Sequence, residues 1–114
     1  MPKVFQIAYS RELMFTREAL MKSCGYAVES ALGNDAAKNA MEAGGDYHLF
    51  VLGHAGSPEE RQEMVGYVRQ KFPNAKVLAL NPPYSARQPD ADYNVALDGP
   101  DKWLAVVQEA VGKG

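Results

Sequence analysis

Little in this chain points to disulfide, metal-cage or membrane chemistry. A single cysteine, Cys24, excludes an intramolecular disulfide and a thiolate zinc cage, and suits a reducing compartment. No apolar stretch approaches the ~20 residues that cross a bilayer, and Met1-Pro2-Lys3 runs straight into a strand-like segment without a leader pattern. Neither charge sign dominates: 12 Lys+Arg face 14 Asp+Glu, a net of -2, with no long run that would track nucleic acid or an anionic membrane. These shortages lead to the expectation of a cytoplasmic protein without a nucleic-acid or membrane partner. What is present is apolar content: 114 residues at 46% hydrophobic can bury one sizeable core and are too few for two ordinary domains, so residues 1–114 are expected to form one domain.

Short apolar runs alternate with amphipathic ones. Val4–Ala8 reads as a first strand, buried on both faces save at Gln6. Ser10 can cap a helix from Arg11 to Cys24, with Leu13, Leu20 and Cys24 at helical spacing, Met14 and Met21 beside them, and Gly25 as the left-handed stop. Tyr26–Ala31 reads as a second strand, and the alanine-rich stretch Asp35–Ala43 as a second helix bearing Ala37, Ala40 and Met41 on one side. Tyr47–Leu52 is the strongest strand signal and suits the centre of a parallel sheet. Ser57 and Glu60, with Pro58 at the first helical position, form a capping box for a third helix lined by Met64, Val65, Val68 and Phe72. Lys76–Leu80 and Asn94–Leu97 read as fourth and fifth strands, and Gly99-Pro100 opens a last helix carrying Trp103, Leu104, Val107 and Val111. Between Leu80 and Tyr93 three prolines oppose a helix, which leaves a loop where the alternation would place one. Such alternation implies right-handed crossovers and a parallel sheet covered on both sides, an α/β sandwich.

Four stretches carry a resemblance. Lys3–Ser10 stands where a hydrophobic strand would end in two acidic residues; Gly25-Tyr26-Ala27-Val28 is similar to a Gly-Tyr-x-Val lead-in to strand two; Tyr47–Gly53 is similar to a Tyr-Asp-Leu-Val-Leu-Leu-Asp pattern; and Ala91-Asp92-Tyr93 is similar to an Ala-Asp-Asp-Tyr lead-in to strand five. Together, in order, they resemble the (βα)5 receiver domain of bacterial response regulators. The resemblance implies a flavodoxin-type fold with a five-stranded parallel sheet, and a role in two-component signalling.

In an active receiver, carboxylates after strand one hold Mg²⁺, an Asp ending strand three accepts the phosphoryl group, and a Thr or Ser and a Lys read the product. A hard cation needs oxygen ligands, and a transferring phosphoryl group needs positive charge around it. Carried over position by position, the resemblance puts Ala8 and Tyr9 at the acidic pair, Gly53 at the phosphoacceptor, Asn81 at the hydroxyl residue and Asp98 at the lysine. All of these differ from the family pattern. The chain therefore reads as a pseudo-receiver without catalytic residues, cofactor or metal, and Asp98 would oppose an anion in the pocket.

Tyr9, His54, Asn81 and Asp98 would all project at the carboxyl ends of the strands, where open α/β sheets bind ligands. They form either a small-ligand pocket, with His54 and Asp98 as a pH-sensitive pair, or a set of groups satisfied by one another and by loop backbone. His48 and His54 lie about 20 Å apart along extended chain and cannot share an ion. Asp46-x-His48 lacks the glycine a cobalamin-binding motif needs, since Val51 stands there. Cys24 and Met14, Met21, Met41 and Met64 read as packing. Phe15 falls opposite the apolar stripe of helix one, and Tyr84, Trp103 and Val106 cluster around the Pro-rich loop, so these four mark a candidate interface; isolated surface hydrophobes are the plainer reading. The expected function is phosphorylation-independent binding of a protein partner, a second copy of the chain being one candidate. Small-ligand sensing in the altered pocket is the alternative.

Overall fold

The computed structural model describes residues 2–82, 87–96 and 100–112, with no side-chain detail at 100 and 101. Its elements run β1 (Lys3–Ala8), α1 (Arg11–Ser23), β2 (Ala27–Leu32), α2 (Asn34–Glu42), β3 (Leu49–Leu52), α3 (Pro58–Lys71), β4 (Lys76–Asn81), β5 (Tyr93–Ala96) and α4 (Pro100–Val111). All strand pairings are parallel, in the order β2-β1-β3-β4-β5, the flavodoxin-type order with β3 at the centre. Where a helix between β4 and β5 would complete five βα units, the described residues hold none, as the prolines dictate.

Period-two alternation divides the core into two layers. Phe5, Ile7, Phe50, Leu52, Val77 and Ala79 face α2 and α3, meeting Ala37, Met41, Met64, Val65 and Val68. Val4, Leu49, Val51, Leu78 and Leu80 face α1 and α4, meeting Met21, Trp103 and Val107. The central strands are apolar on both faces because both faces are covered.

Helix starts follow their sequence signals. The Ser10 hydroxyl accepts from Leu13 N at 3.4 Å. Ser57 Oγ accepts from Glu60 N at 3.1 Å while Glu60 Oε1 accepts from Ser57 N at 3.0 Å, completing the capping box. After α1 the chain reverses through Gly25 at φ 93°, a conformation that a Cβ would strain.

Three expectations are corrected. Gln6 is fully buried, its Nε2 donating to Met14 O and Ser30 Oγ, because strand one is roofed by α1 at that point. The inner face of α1 is centred on Arg17 and Met21, with Leu13, Leu20 and Cys24 half-buried at its margins. Trp103 is 3% exposed and belongs to the α1/α4 core layer, and Val106 is half-buried against the same layer, so Trp103 is packing and not a presented interface residue. Tyr84, Leu97, Asp98 and Gly99 lie outside the described residues. No helix among the described residues is long and apolar enough to cross a membrane.

Candidate functional site at the carboxyl ends of the strands

The carboxyl ends of β1, β3 and β4 bring Ala8, Gly53 and Asn81 together. Gly53 N donates to Ile7 O at 2.8 Å, holding the end of β3 against β1. A Cβ at Gly53 would sit 3.3 Å from Ile7 O and 3.4 Å from Arg17 Nη1. The space a side chain at position 53 would need is thus bounded closely by backbone and by a guanidinium.

Two arginines converge on this point from opposite layers of the sandwich. Arg61, on the first turns of α3, is 3% exposed; its Nε donates to Gly53 O at 2.9 Å and its Nη2 to Leu80 O at 2.6 Å and Asn81 Oδ1 at 3.0 Å. It ties the ends of β3 and β4 together. Arg17, from α1, is 6% exposed, and its Nη2 donates to Nδ1 of His54 at 3.0 Å. Since a guanidinium can only donate, Nδ1 accepts and the neutral His54 ring carries its proton on Nε2. Burial lowers the pKa of both arginines, with Tyr9 partly opposing this at Arg61. Burial lowers that of His54 too, and the positive charges of Arg17 and Arg61 add to the shift.

Tyr9 stands on the other side of the cleft. Its hydroxyl donates to Asn34 Oδ1 at 2.6 Å, and its ring lies so close over Gly56 that a Cβ there would fall 2.8 Å from ring carbons. Burial raises its pKa, with the negative charges of Glu60 and Glu63 adding to the rise and Arg61 opposing it. Asn81 is 4% exposed and donates from Nδ2 to Asn94 Oδ1 at 2.9 Å; Asn94 in turn donates to Gln88 O, fastening the chain ahead of β5. Asp92 accepts from Val77 N and from Arg69.

Tyr9, His54 and Asn81 therefore share the strand-end region as the sequence suggests, and each has a local partner. The partner of His54 is Arg17, where the sequence pointed to Asp98, which lies outside the described residues. The sequence reading also omitted both arginines. Their signal was positional: Arg17 stands four residues before Met21, and Arg61 three before Met64 and seven before Val68, each a cation on an apolar helical stripe. The described part of this pocket presents buried positive charge at Gly53, whereas Asp98, expected to oppose an anion there, lies outside the described residues.

Among the described residues no group of three His, Cys, Asp or Glu side chains is arranged to hold a metal ion. Phe15, on α1, is 58% exposed, and Leu32, ending the edge strand β2, is 36% exposed; they are the exposed large hydrophobics among the described residues.

No family model matches the chain, and no curated protein matches it. Solved structures do. The response regulator TrrA from Thermotoga maritima, in complex with Mg²⁺-BeF, superposes with a TM-score of 0.84 at 19% identity, covering 97% of this chain and 100% of that one. The chemotaxis response regulator CheY4 of Vibrio cholerae gives 0.80 at 18% identity, covering 97% and 99%. TrrA in its complex with the histidine kinase ThkA gives 0.74 at 22% identity, covering 96% and 98%. The fold is that of CheY-like response-regulator receiver domains, with four helices among the described residues.

Proposed function

We propose that this chain is a pseudo-receiver: a signalling module that acts by protein-protein interaction and does not depend on aspartyl phosphorylation. The observation that carries the reading is Gly53. At the end of the central strand, where the receiver resemblance calls for a phosphoacceptor, there is no side chain, and the adjoining space is lined by Ile7 O and the Arg17 guanidinium. Ala8 and Tyr9 offer no carboxylate pair for a divalent cation either. Position 53 supplies no carboxylate to attack a phosphodonor, and the reading is also of a protein without enzymatic activity.

Interaction is favoured by the solvent-facing ring of Phe15, since most large apolar side chains in this chain are buried. The related fold of TrrA is seen bound to the histidine kinase ThkA, which supports a protein partner here. Cross-linking in native cells, followed by purification of the chain and identification of what accompanies it, tests the proposal. The expected result is a partner set that is unchanged by phosphodonor treatment and is lost in Phe15→Asp. A set that appears only with phosphodonor, or no partner together with a monomeric mass by light scattering, would contradict it. Small-ligand sensing is favoured by one specific observation, the pair of buried guanidiniums, and is developed next.

A further inference from the structure

Two positive charges are buried at the end of β3, and no carboxylate among the described residues neutralises either. Arg17 and Arg61 are 6% and 3% exposed. The ion pairs among the described residues lie elsewhere: Lys22 with Glu18, Lys38 with Glu63, and Arg69 with Asp92. The acids nearest the cleft are already committed, Glu60 to the backbone N–H of Ser57 and Glu63 to Lys38. Isolated buried charges are costly, and proteins ordinarily pair them.

The two arginines are satisfied very differently. Arg61 spends its donors on Gly53 O, Leu80 O and Asn81 Oδ1, as a structural brace does. Arg17 has five N–H donors in a planar fork and one hydrogen-bond partner among the described residues, Nδ1 of His54. That partner is a neutral acceptor on a half-buried side chain in the loop after β3, a group that can swing away on side-chain rotation. No Arg17 nitrogen is both sealed from solvent and without a partner, so its remaining N–H edges stay open to a planar or tetrahedral oxyanion, whose two parallel N–H···O bonds would satisfy the fork and whose negative charge would offset both arginines.

We propose that Arg17 is the floor of a small-oxyanion site at the end of β3, taking phosphate or a carboxylate non-covalently, with His54 as its displaceable cover and Arg61 supplying the second positive charge. No covalent bond forms or breaks; the oxyanion takes the place of His54 Nδ1 on the guanidinium. This goes beyond the interaction reading, and the site can be tested whether or not a protein partner exists.

The test is titration of the ¹⁵N-labelled protein with sodium phosphate, and separately with sodium acetate, against sodium chloride at matched ionic strength and pH. Backbone signals of Gly53 and His54 and the Nε–H signal of Arg17 are followed, with the melting temperature recorded in parallel. The expected result is a saturable shift of these signals and a rise in melting temperature with at least one of the two oxyanions; the response distinguishes phosphate from carboxylate preference. Arg17→Gln should lose the saturable response while retaining a folded spectrum, and His54→Ala should keep it with tighter binding, since the cover is gone. If Arg17→Gln fails to fold, His54→Ala still decides, because unchanged or weaker binding there denies the cover. Absence of a saturable shift in the wild-type chain with both anions, or an equal shift in Arg17→Gln, would overturn the proposal while leaving the interaction reading untouched.

Discussion

Nη2 of Arg17 donates to Nδ1 of His54 at 3.0 Å, joining α1 to the loop that follows the central strand. The bond exists only while the imidazole is neutral, because a protonated ring has no acceptor to offer and would add a third positive charge beside Arg17 and Arg61.

The first prediction follows from that bond. Burial and the two guanidiniums hold His54 below its ordinary 6.5 in the folded chain, whereas the unfolded chain titrates near that value. Below it the unfolded state binds the extra proton, so this contribution to stability is complete above about pH 6.5 and declines as the pH falls through the window beneath. Urea unfolding between pH 5 and 8 should show the loss, and His54→Leu should flatten that part of the curve. An identical slope in the variant would assign the effect elsewhere.

Arg61 braces two strand ends through three acceptors. Arg61→Ala leaves Gly53 O, Leu80 O and Asn81 Oδ1 without their donor, and a loss of roughly 2–4 kcal/mol is expected, since charge-assisted hydrogen bonds and orphaned buried acceptors each count heavily. Chemical denaturation measures it directly.

Two aromatic residues should separate packing from presentation. Trp103 is 3% exposed, and Trp103→Ala should cost about 3–5 kcal/mol by opening a cavity. Phe15 is 58% exposed, and Phe15→Ala should change stability by less than about 0.5 kcal/mol while weakening partner binding. Melting temperatures and binding isotherms for both variants provide the comparison.

Gly53→Asp should not restore phosphoacceptance. Its Cβ would begin 3.4 Å from Arg17 Nη1, so the new carboxylate meets a guanidinium, and Ala8 and Tyr9 still provide no cation ligands. After incubation with a small phosphodonor and Mg²⁺, its intact mass should be unchanged.

Most of the architecture was legible in the sequence because its signals are local. Tyr47–Leu52 reads as central from composition alone, and Ser57, Pro58 and Glu60 specify a helix start without reference to the rest of the chain. Boundaries moved by a residue or two, as at β2, where Tyr26 precedes the strand and donates its hydroxyl to Gly112 O. Gln6 looked like a break in burial and is wholly enclosed: its Nε2 finds Met14 O and Ser30 Oγ on neighbouring elements, while its Oε1 is buried without a partner. Of the site, the sharing of the strand ends by Tyr9, His54 and Asn81 was legible, while the loss of phosphorylation groups at Ala8, Tyr9, Gly53 and Asn81 stays what the resemblance implies. The two arginines were not legible, since Arg17 and Arg61 come from helices distant in sequence and reach Gly53 only after both layers have packed on the sheet. Trp103 was misplaced for a related reason: an aromatic on a terminal helix can face either way until its covering strands are known.

Intact-mass spectrometry of the wild-type chain after incubation with acetyl phosphate and Mg²⁺ tests the central claim most directly. The account predicts the unmodified mass at every time point. A stable gain of one phosphate on this chain would contradict it.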